Sequence, residues 1–338
     1  MFMNYLTFTP YDPHRDGDVG ELFRDYSHKD YQLKVMGVSK EQMVKYLEKS
    51  LFRSKMQSIC LREKGRLVGL IALQSLPWMS QHFGLRMFAV PHLLAKSSGP
   101  LVHARLLRYV MEELQDVDFL DCRVAIDDIY SAHALEICDF RYVGTEIYMG
   151  QILKSISPPD SHPDFEIRPC APQELDQVAQ IAGETHVHNR FVYDPVIHEK
   201  ATKSLYERLV MNCFGNNQFN VLVAHSQGKV QGFIITKMNL PFGQEVGQLS
   251  GSLDFIGVRP DARSRGLGVA LNRWALFHLA EKNAVFAGVR TLANNYAALA
   301  TCFRTGFSIT STSLHFHKWI QRPAVNHRLS QPYSRDTV

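Results

Sequence analysis

The chain lacks any apolar run of 18 residues, the length a helix needs to cross a bilayer. Its first residues, MFMNYLTFTPYDPHRDGD, also lack the basic stretch followed by an apolar one that marks a secretory leader. No membrane contact is expected, and the expected location is cytoplasmic. Cysteine is sparse: Cys60, Cys122, Cys138, Cys170, Cys213 and Cys302 are scattered without a CxxC pair. That spacing suits reduced thiols and argues against a disulfide frame or a zinc knuckle. Nor is one sign of charge dominant. With 37 Lys and Arg against 33 Asp and Glu, the net charge is +4, which favours anionic ligands but gives no case for nucleic acid. Two phosphate-binding patterns are missing as well. No Gly-Lys-Ser/Thr closes a P-loop, and no GxGxxG precedes an acidic residue at the dinucleotide-binding spacing.

What is present points to two similar halves. At 338 residues the chain exceeds one core and suits two domains of about 150 residues. The segment KSISPPDSHPDFE, residues 154–166, concentrates prolines and serines between two strand-like runs. It separates an expected first domain, 1–153, from a second, 164–321, and leaves 322–338 as an expected mobile tail. In the second half FEIRPC reads as a strand, and PQELDQVAQIAGETH and VIHEKATKSLYERLVMNCF read as helices. NVLVAHSQGKVQGFIITKM reads as a hairpin turning near Gly228, GSLDFIGV as a strand and GLGVALNRWALFHLAEKN as a helix. A strand AVFAGVRTL, a helix NNYAALATCFRTGF and a late strand region SITSTSLHFHKWI follow. The first half repeats this order, with a hairpin around Lys64-Gly65 and a helix LVHARLLRYVMEEL. Two copies of one α/β unit with a mixed sheet are the economical reading.

The stretch VRPDARSRGLGVAL, residues 258–271, places two glycines and three arginines at a strand-to-helix junction. A helix begins with four N–H groups that have no intrahelical partner. Gly266 and Gly268 leave those donors open, the helix dipole adds a favourable field, and Arg263 and Arg265 supply charge-assisted donors. The combination calls for an anion.

Val258-x-Pro260 followed by Arg263-x-x-Gly266-x-Gly268 resembles the acetyl-CoA pyrophosphate loop of the Gcn5-related N-acetyltransferases (GNAT). Asn295-x-x-Ala298 and Gly306-Phe307 resemble that family's second cofactor motif. The resemblance implies two tandem GNAT-like domains, acetyl-CoA as co-substrate and a small-molecule amine as acceptor. It implies that Ile256 and Val258 offer backbone groups to the pantetheine arm. Arg263, Ser264, Arg265, Gly266, Leu267, Gly268 and Val269 would then form the pyrophosphate loop, with Asn295 and Ala298 beside the pantetheine. Relatives often carry Tyr seven residues after the helix Asn, placed to protonate the departing thiolate. Here that position is Cys302. An ordinary thiol is a stronger acid than a phenol, which makes Cys302 the candidate catalytic acid.

HVHNRFVYDP with ATKSLYERLVMN, and LPWMSQHFGLRM in the first half, resemble elements of sugar-amine acetyltransferases of the TDP-fucosamine acetyltransferase group. Met79 and Leu209 depart from that pattern, at positions where an acid and a Trp are usual. This resemblance implies an amino sugar acceptor, carried on a nucleotide, with His188, Arg190, Tyr193, Asp194 and Tyr206 as substrate contacts. The first half has no Arg-x-x-Gly-x-Gly. It reads PHLLAKSSGPLVHARLL at that place and Asp139-Phe140 where the second half has Gly306-Phe307. It is expected to be a degenerate copy that buttresses the active half or walls the acceptor site.

Amine acetylation needs a group to accept the amine proton. Asp254, His188 and Glu245 are candidates, and Asp254 is preferred because strand alternation puts it with Ile256 and Val258. The pairs His186/His188 and His315/His317 invite a metal, yet no further ligand stands at a sensible spacing, so none is expected. No nucleic-acid partner is expected, and a homodimer is admitted. Two other functions fit the same residues: a non-catalytic acyl-CoA-binding module, and an acetyltransferase for another amine such as an amino acid, polyamine or antibiotic.

Overall fold

The structure, a computed structural model, describes residues 6–26, 28, 34–114, 117–185, 188–197 and 199–320. The expected tail 322–338 and His186 lie outside the described residues. The first half runs β1 (Leu6–Pro10), α1 (Val19–Asp25), α2 (Lys40–Arg53), β2 (Gln57–Glu63), β3 (Arg66–Ser75), α3 (Pro77–Phe83) and β4 (Met87–Ala95). It continues through α4 (Leu101–Glu113), β5 (Phe119–Ala125), α5 (Ile129–Ile137) and β6 (Arg141–Ile152). The second half gives β7 (Glu166–Pro169), α6 (Leu175–Thr185), α7 (Glu199–Cys213), β8 (Phe219–Ser226), β9 (Lys229–Met238), α8 (Leu240–Val246) and β10 (Ser250–Val258). It ends with α9 (Leu267–Glu281), β11 (Phe286–Leu292), α10 (Tyr296–Arg304) and β12 (Ser308–Trp319).

Local chemistry explains these elements. The two long hairpins turn at Lys64-Gly65 and Gln227-Gly228, pairs that take positive φ, as the right-handed twist of the flanking strands requires. Ser39 and Gln42 form a reciprocal capping box that starts α2. In the second half, Leu222, Ala224 and Ile234 face Leu267, Leu271 and Ala275 of α9. Val221, Val223, Phe233 and Ile235 point the other way, onto Val178 and Ile181 of α6 and Val210 of α7. Period-2 alternation thus clothes both sheet faces with helices.

One mixed sheet crosses the molecule in the order β1-β2-β3-β4-β5-β12-β6-β11-β10-β9-β8-β7. The halves exchange their last strands. β12 pairs with β5 of the first half, whereas β6 pairs with β11 of the second, and the two exchanged strands pair with each other. The sheet is therefore continuous where the covalent linker divides the chain.

The loop between α6 and α7 is clasped to the first half by buried charges. Arg190 Nε donates to Asp121 Oδ2 of β5 at 2.9 Å, while His315 Nε2 of β12 meets the other carboxylate oxygen. His317 Nδ1 lies 2.7 Å from Asp194 Oδ2, which also accepts from Trp319 Nε1 at 3.1 Å. Phe191 fills the space beneath, against Met87, Phe119 and Trp319. Burial alone would raise the Asp121 carboxyl, but the Arg190 charge, with the hydrogen bond from His315, outweighs it and holds it well below the usual carboxylate range. Burial lowers His315 despite Asp121 beside it.

Candidate active site

Strands β10 and β11 run parallel only while Ser250–Leu253 pair with Phe286–Val289. A bulge in β10 at Asp254, seen against β9 between Leu253 and Phe255, then turns the strand away. Past it the two strands part and open a cavity of about 660 Å³. Ile256 and Val258 form one wall, Asn295, Ala298 and Cys302 of α10 another, and the start of α9 closes the end. The bulge also revises strict alternation: Leu253 joins the α9 side, Phe255 the α7 side, and Ile256 and Val258 the α9 side again.

The glycine-arginine loop is built around backbone donors. Ser264 and Gly266 take left-handed φ of 61° and 80°, and no side chain caps α9. Successive residues in such conformations turn N–H groups into a common concavity, and the helix dipole points into it. Arg263, Ser264, Gly266, Leu267, Gly268 and Val269 all line the cavity. Arg263 Nε bonds the Val258 carbonyl at 3.2 Å, which lays its side chain across the end of β10. Arg265 is the exception: its guanidinium pairs with Asp164 at 2.7 Å and stacks over Phe165. Only its backbone belongs to the loop. A Cβ on Gly268 would find Thr301 at an ordinary 3.5 Å, so the position has room for a small side chain, but one aimed at the cavity wall.

Asn295 is first of all a helix cap, its Oδ1 accepting from Ala298 N at 3.3 Å. Cys302 lines the cavity yet is buried in the α9–α10 cluster, with Asn272 Nδ2 3.9 Å from its sulfur. Burial pushes its thiol up to about 11, so the ordinary thiol acidity assumed from sequence does not hold at this position. Asp254 opens onto the cavity and receives a hydrogen bond from Ser252 Oγ. Desolvation raises its pKa in spite of that bond and of the charges of Lys237 and Arg290.

Of the expected substrate contacts, His188, Arg190 and Tyr206 line the same cavity. Burial pushes the Tyr206 hydroxyl up to about 12. Tyr193 stands apart from the lining and accepts from Asn294 Nδ2 at 2.8 Å. Asp194 belongs to the clasp. Glu245 is held by Lys49 of the first half at 2.8 Å. The His315/His317 pair does have a third potential ligand nearby: Asp121, the three groups' donor atoms lying within 4.8 Å. Its place 194 residues upstream made it invisible to spacing. Each member is engaged already, His315 with Asp121, His317 with Asp194 and Asp121 with Arg190.

A second cavity, of about 520 Å³, lies on the α7 side of the sheet, floored by Ser250, Ser252 and Gly288. Lys237 and Arg290 flank it, and Tyr46 of α2 and Tyr148 of β6 bring the first half into its wall. The two cavities share Leu253, Asp254, Phe255, Val289 and Arg290. Sequence spacing missed Arg290, Lys237 and Tyr46. The repeat held one clue, because the strand FLDCRVA in the first half carries Arg123 where FAGVRTL carries Arg290.

In the first half the corresponding space is spent on packing. Asp128 caps α5 as Asn295 caps α10, but the Tyr26 hydroxyl donates to it. The counterpart of the second cavity is filled by Phe191 and the Asp121–Arg190–His315 cluster.

Comparison with known proteins agrees with this geometry. Residues 181–307 match the acetyltransferase (GNAT) family. The chain is 24% identical over 272 residues to the spore coat polysaccharide biosynthesis protein SpsD of Bacillus subtilis, covering 78% of this chain and 88% of that one. Among solved structures it resembles a GCN5-related N-acetyltransferase from Sphaerobacter thermophilus, with a TM-score of 0.64 at 14% identity over 96% of this chain and 98% of the other. A tandem GNAT protein from the clavulanic acid biosynthesis pathway aligns at a TM-score of 0.55 and 13% identity, over 94% of this chain and 99% of its own. The chain has the tandem GNAT fold, and its residues 181–307 are similar to the acetyltransferase (GNAT) family.

Proposed function

We propose that the protein transfers an acetyl group from acetyl-CoA to the amine of a small molecule, most simply an amino sugar carried on a nucleotide. The observation that carries this reading is the meeting of two cavities at Asp254 and Arg290, one of them ending on the uncapped start of α9. The backbone of residues 265–269, with Arg263 beside it, suits a pyrophosphate. The parted edge of β10 at Ile256 and Val258 suits a pantetheine arm. The likeness to a polysaccharide biosynthesis protein supports a sugar-bearing acceptor.

In this reading residues 164–321 supply the catalytic residues and 1–153 the degenerate copy, both needed for one site. Asp254 takes the amine proton directly or through water. Its desolvated carboxylate is a stronger base than an exposed one. His188, Arg190 and Tyr206 border the reacting region, and Tyr193 and Asp194 fix the loop that carries His188 and Arg190. The test is release of free thiol from acetyl-CoA mixed with a panel of amino sugars, amino acids and polyamines. Amine-dependent thiol release with an amino sugar supports the reading. CoA binding without thiol release for any amine would make the protein a binding module.

A further inference from the structure

The 520 Å³ cavity contains an unusual distribution of charge. Lys237 on β9 and Arg290 on β11 flank Ser252 and Asp254 on the strand between them. Ser252 pairs in register with Lys237 on one side and with Gly288, two residues before Arg290, on the other, so the two cations stand on the strands either side of β10. Both act electrostatically on Asp254. Among the described residues neither forms an ion pair. Their neighbours are aromatic: Lys237 lies 5.2 Å from the Phe219 ring and Arg290 5.2 Å from the Tyr148 ring. Aromatic faces hold a cation in place without neutralising it.

A Cβ at Gly288 would fall 2.0 Å from the Tyr148 hydroxyl, so the glycine lets Tyr148 lie across β11 beside Arg290. The floor consists of serines and glycine while the charge stands at the sides. The wall opposite the sheet comes from the first half through Tyr46. It can be there because β6 is exchanged into the second half-sheet, which brings α2 over β10 and β11.

We infer that this cavity, formed by both halves, binds an acceptor amine that carries a phosphate: the phosphate lies between Lys237 and Arg290, and the amine points to Asp254. The inference rests on the acetyltransferase reading. Two unpaired cations beside one acid match a ligand with one positive and at least one negative group, and a phosphate fills two cationic donors better than a carboxylate. The degenerate half thereby becomes part of acceptor selection.

Binding to the CoA-saturated protein tests this apart from turnover. Glucosamine 1-phosphate, glucosamine and 2-amino-2-deoxygluconate are titrated into the wild type and into Lys237→Gln, Arg290→Gln and Tyr46→Ala, with circular dichroism checking each fold. The phosphorylated amine should bind at least roughly tenfold more tightly than glucosamine, the scale of one charge-assisted contact. Lys237→Gln should remove most of that gap with CoA affinity unchanged, and Tyr46→Ala should weaken all three amines. Equal affinities for phosphorylated and neutral amines, or a gap indifferent to both charge removals, would overturn the inference. So would a carboxylate amine binding as tightly as the phosphate. If the wild type binds no CoA, the acetyltransferase reading fails, and the same titrations without CoA judge the cavity on its own.

Discussion

A thiol can protonate a departing thiolate readily only if it is at least as strong an acid. Cys302 does not meet that condition, because burial pushes it up to about 11, above an ordinary thiol near 8.5. Transfer from it would run uphill by about two pK units, on the order of 3 kcal/mol. Its place among Leu271, Ala275 and Phe307 is that of a packing residue. Cys302→Ala should therefore keep kcat within a few fold and lose mainly stability, by about 1 kcal/mol for a small buried group. A hundredfold fall in kcat in Ala, with CoA affinity intact, would restore the acid role. Asp254 differs. Asp254→Asn should lower kcat roughly 10²–10⁴-fold, the usual weight of a general base, with CoA affinity preserved. Turnover of Asp254→Asn at the wild-type rate would exclude it. The glycine-arginine loop at the start of α9 was legible in the sequence because its residues are contiguous. Lys237, Arg290 and Tyr46 were not, since strand register and the exchanged β6 bring them together from distant segments.

Among elements, the order of strands and helices in both halves followed from periodicity and turn residues, the hairpins at Gly65 and Gly228 included. The helices α3 and α8 have no counterpart in the sequence reading: each has seven residues and opens with Pro at its first turn. The strand exchange escaped too, because nothing local in β6 or β12 specifies its partner. Its consequence can be measured. Residues 1–153 and 154–338 made separately should each aggregate or fail to fold, and should recover a soluble complex when made together. A separately folded, CoA-binding 154–338 would contradict the exchanged sheet. The clasp predicts a pH effect of definite sign. His315 is held neutral by burial, its folded pKa lying below the unfolded value near 6.5. The unfolded chain thus binds the proton more readily, and stability falls as pH drops below about 6.5. Asp121, held low, adds stability above its unfolded value near 3.8 and loses it only at more acid pH. Between pH 7 and 5 the melting temperature should fall, and His315→Gln should flatten part of that slope. An unchanged slope would remove His315 from the clasp.

Across the whole molecule, one order of strands and helices is present twice, and the two copies differ in what they leave open. The second copy keeps the parted strands, the left-handed loop and the uncapped helix. The first also parts β4 from β5 after Val90 and Cys122, but places Tyr26 on Asp128 there and supplies β6 and α2 to its neighbour. The single CoA site that we propose lies at the loop of Gly266 and Gly268, with none in the first half. Its test is calorimetric titration of CoA into the intact chain and into Gly268→Asp. The mutation has steric room beside Thr301 and adds a negative charge to the first turn of α9, where the helix dipole should favour an anion. One CoA per chain in the wild type, and binding lost in a folded Gly268→Asp, is the predicted result. Two CoA per chain, or a mutant that binds CoA as the wild type does, would contradict it.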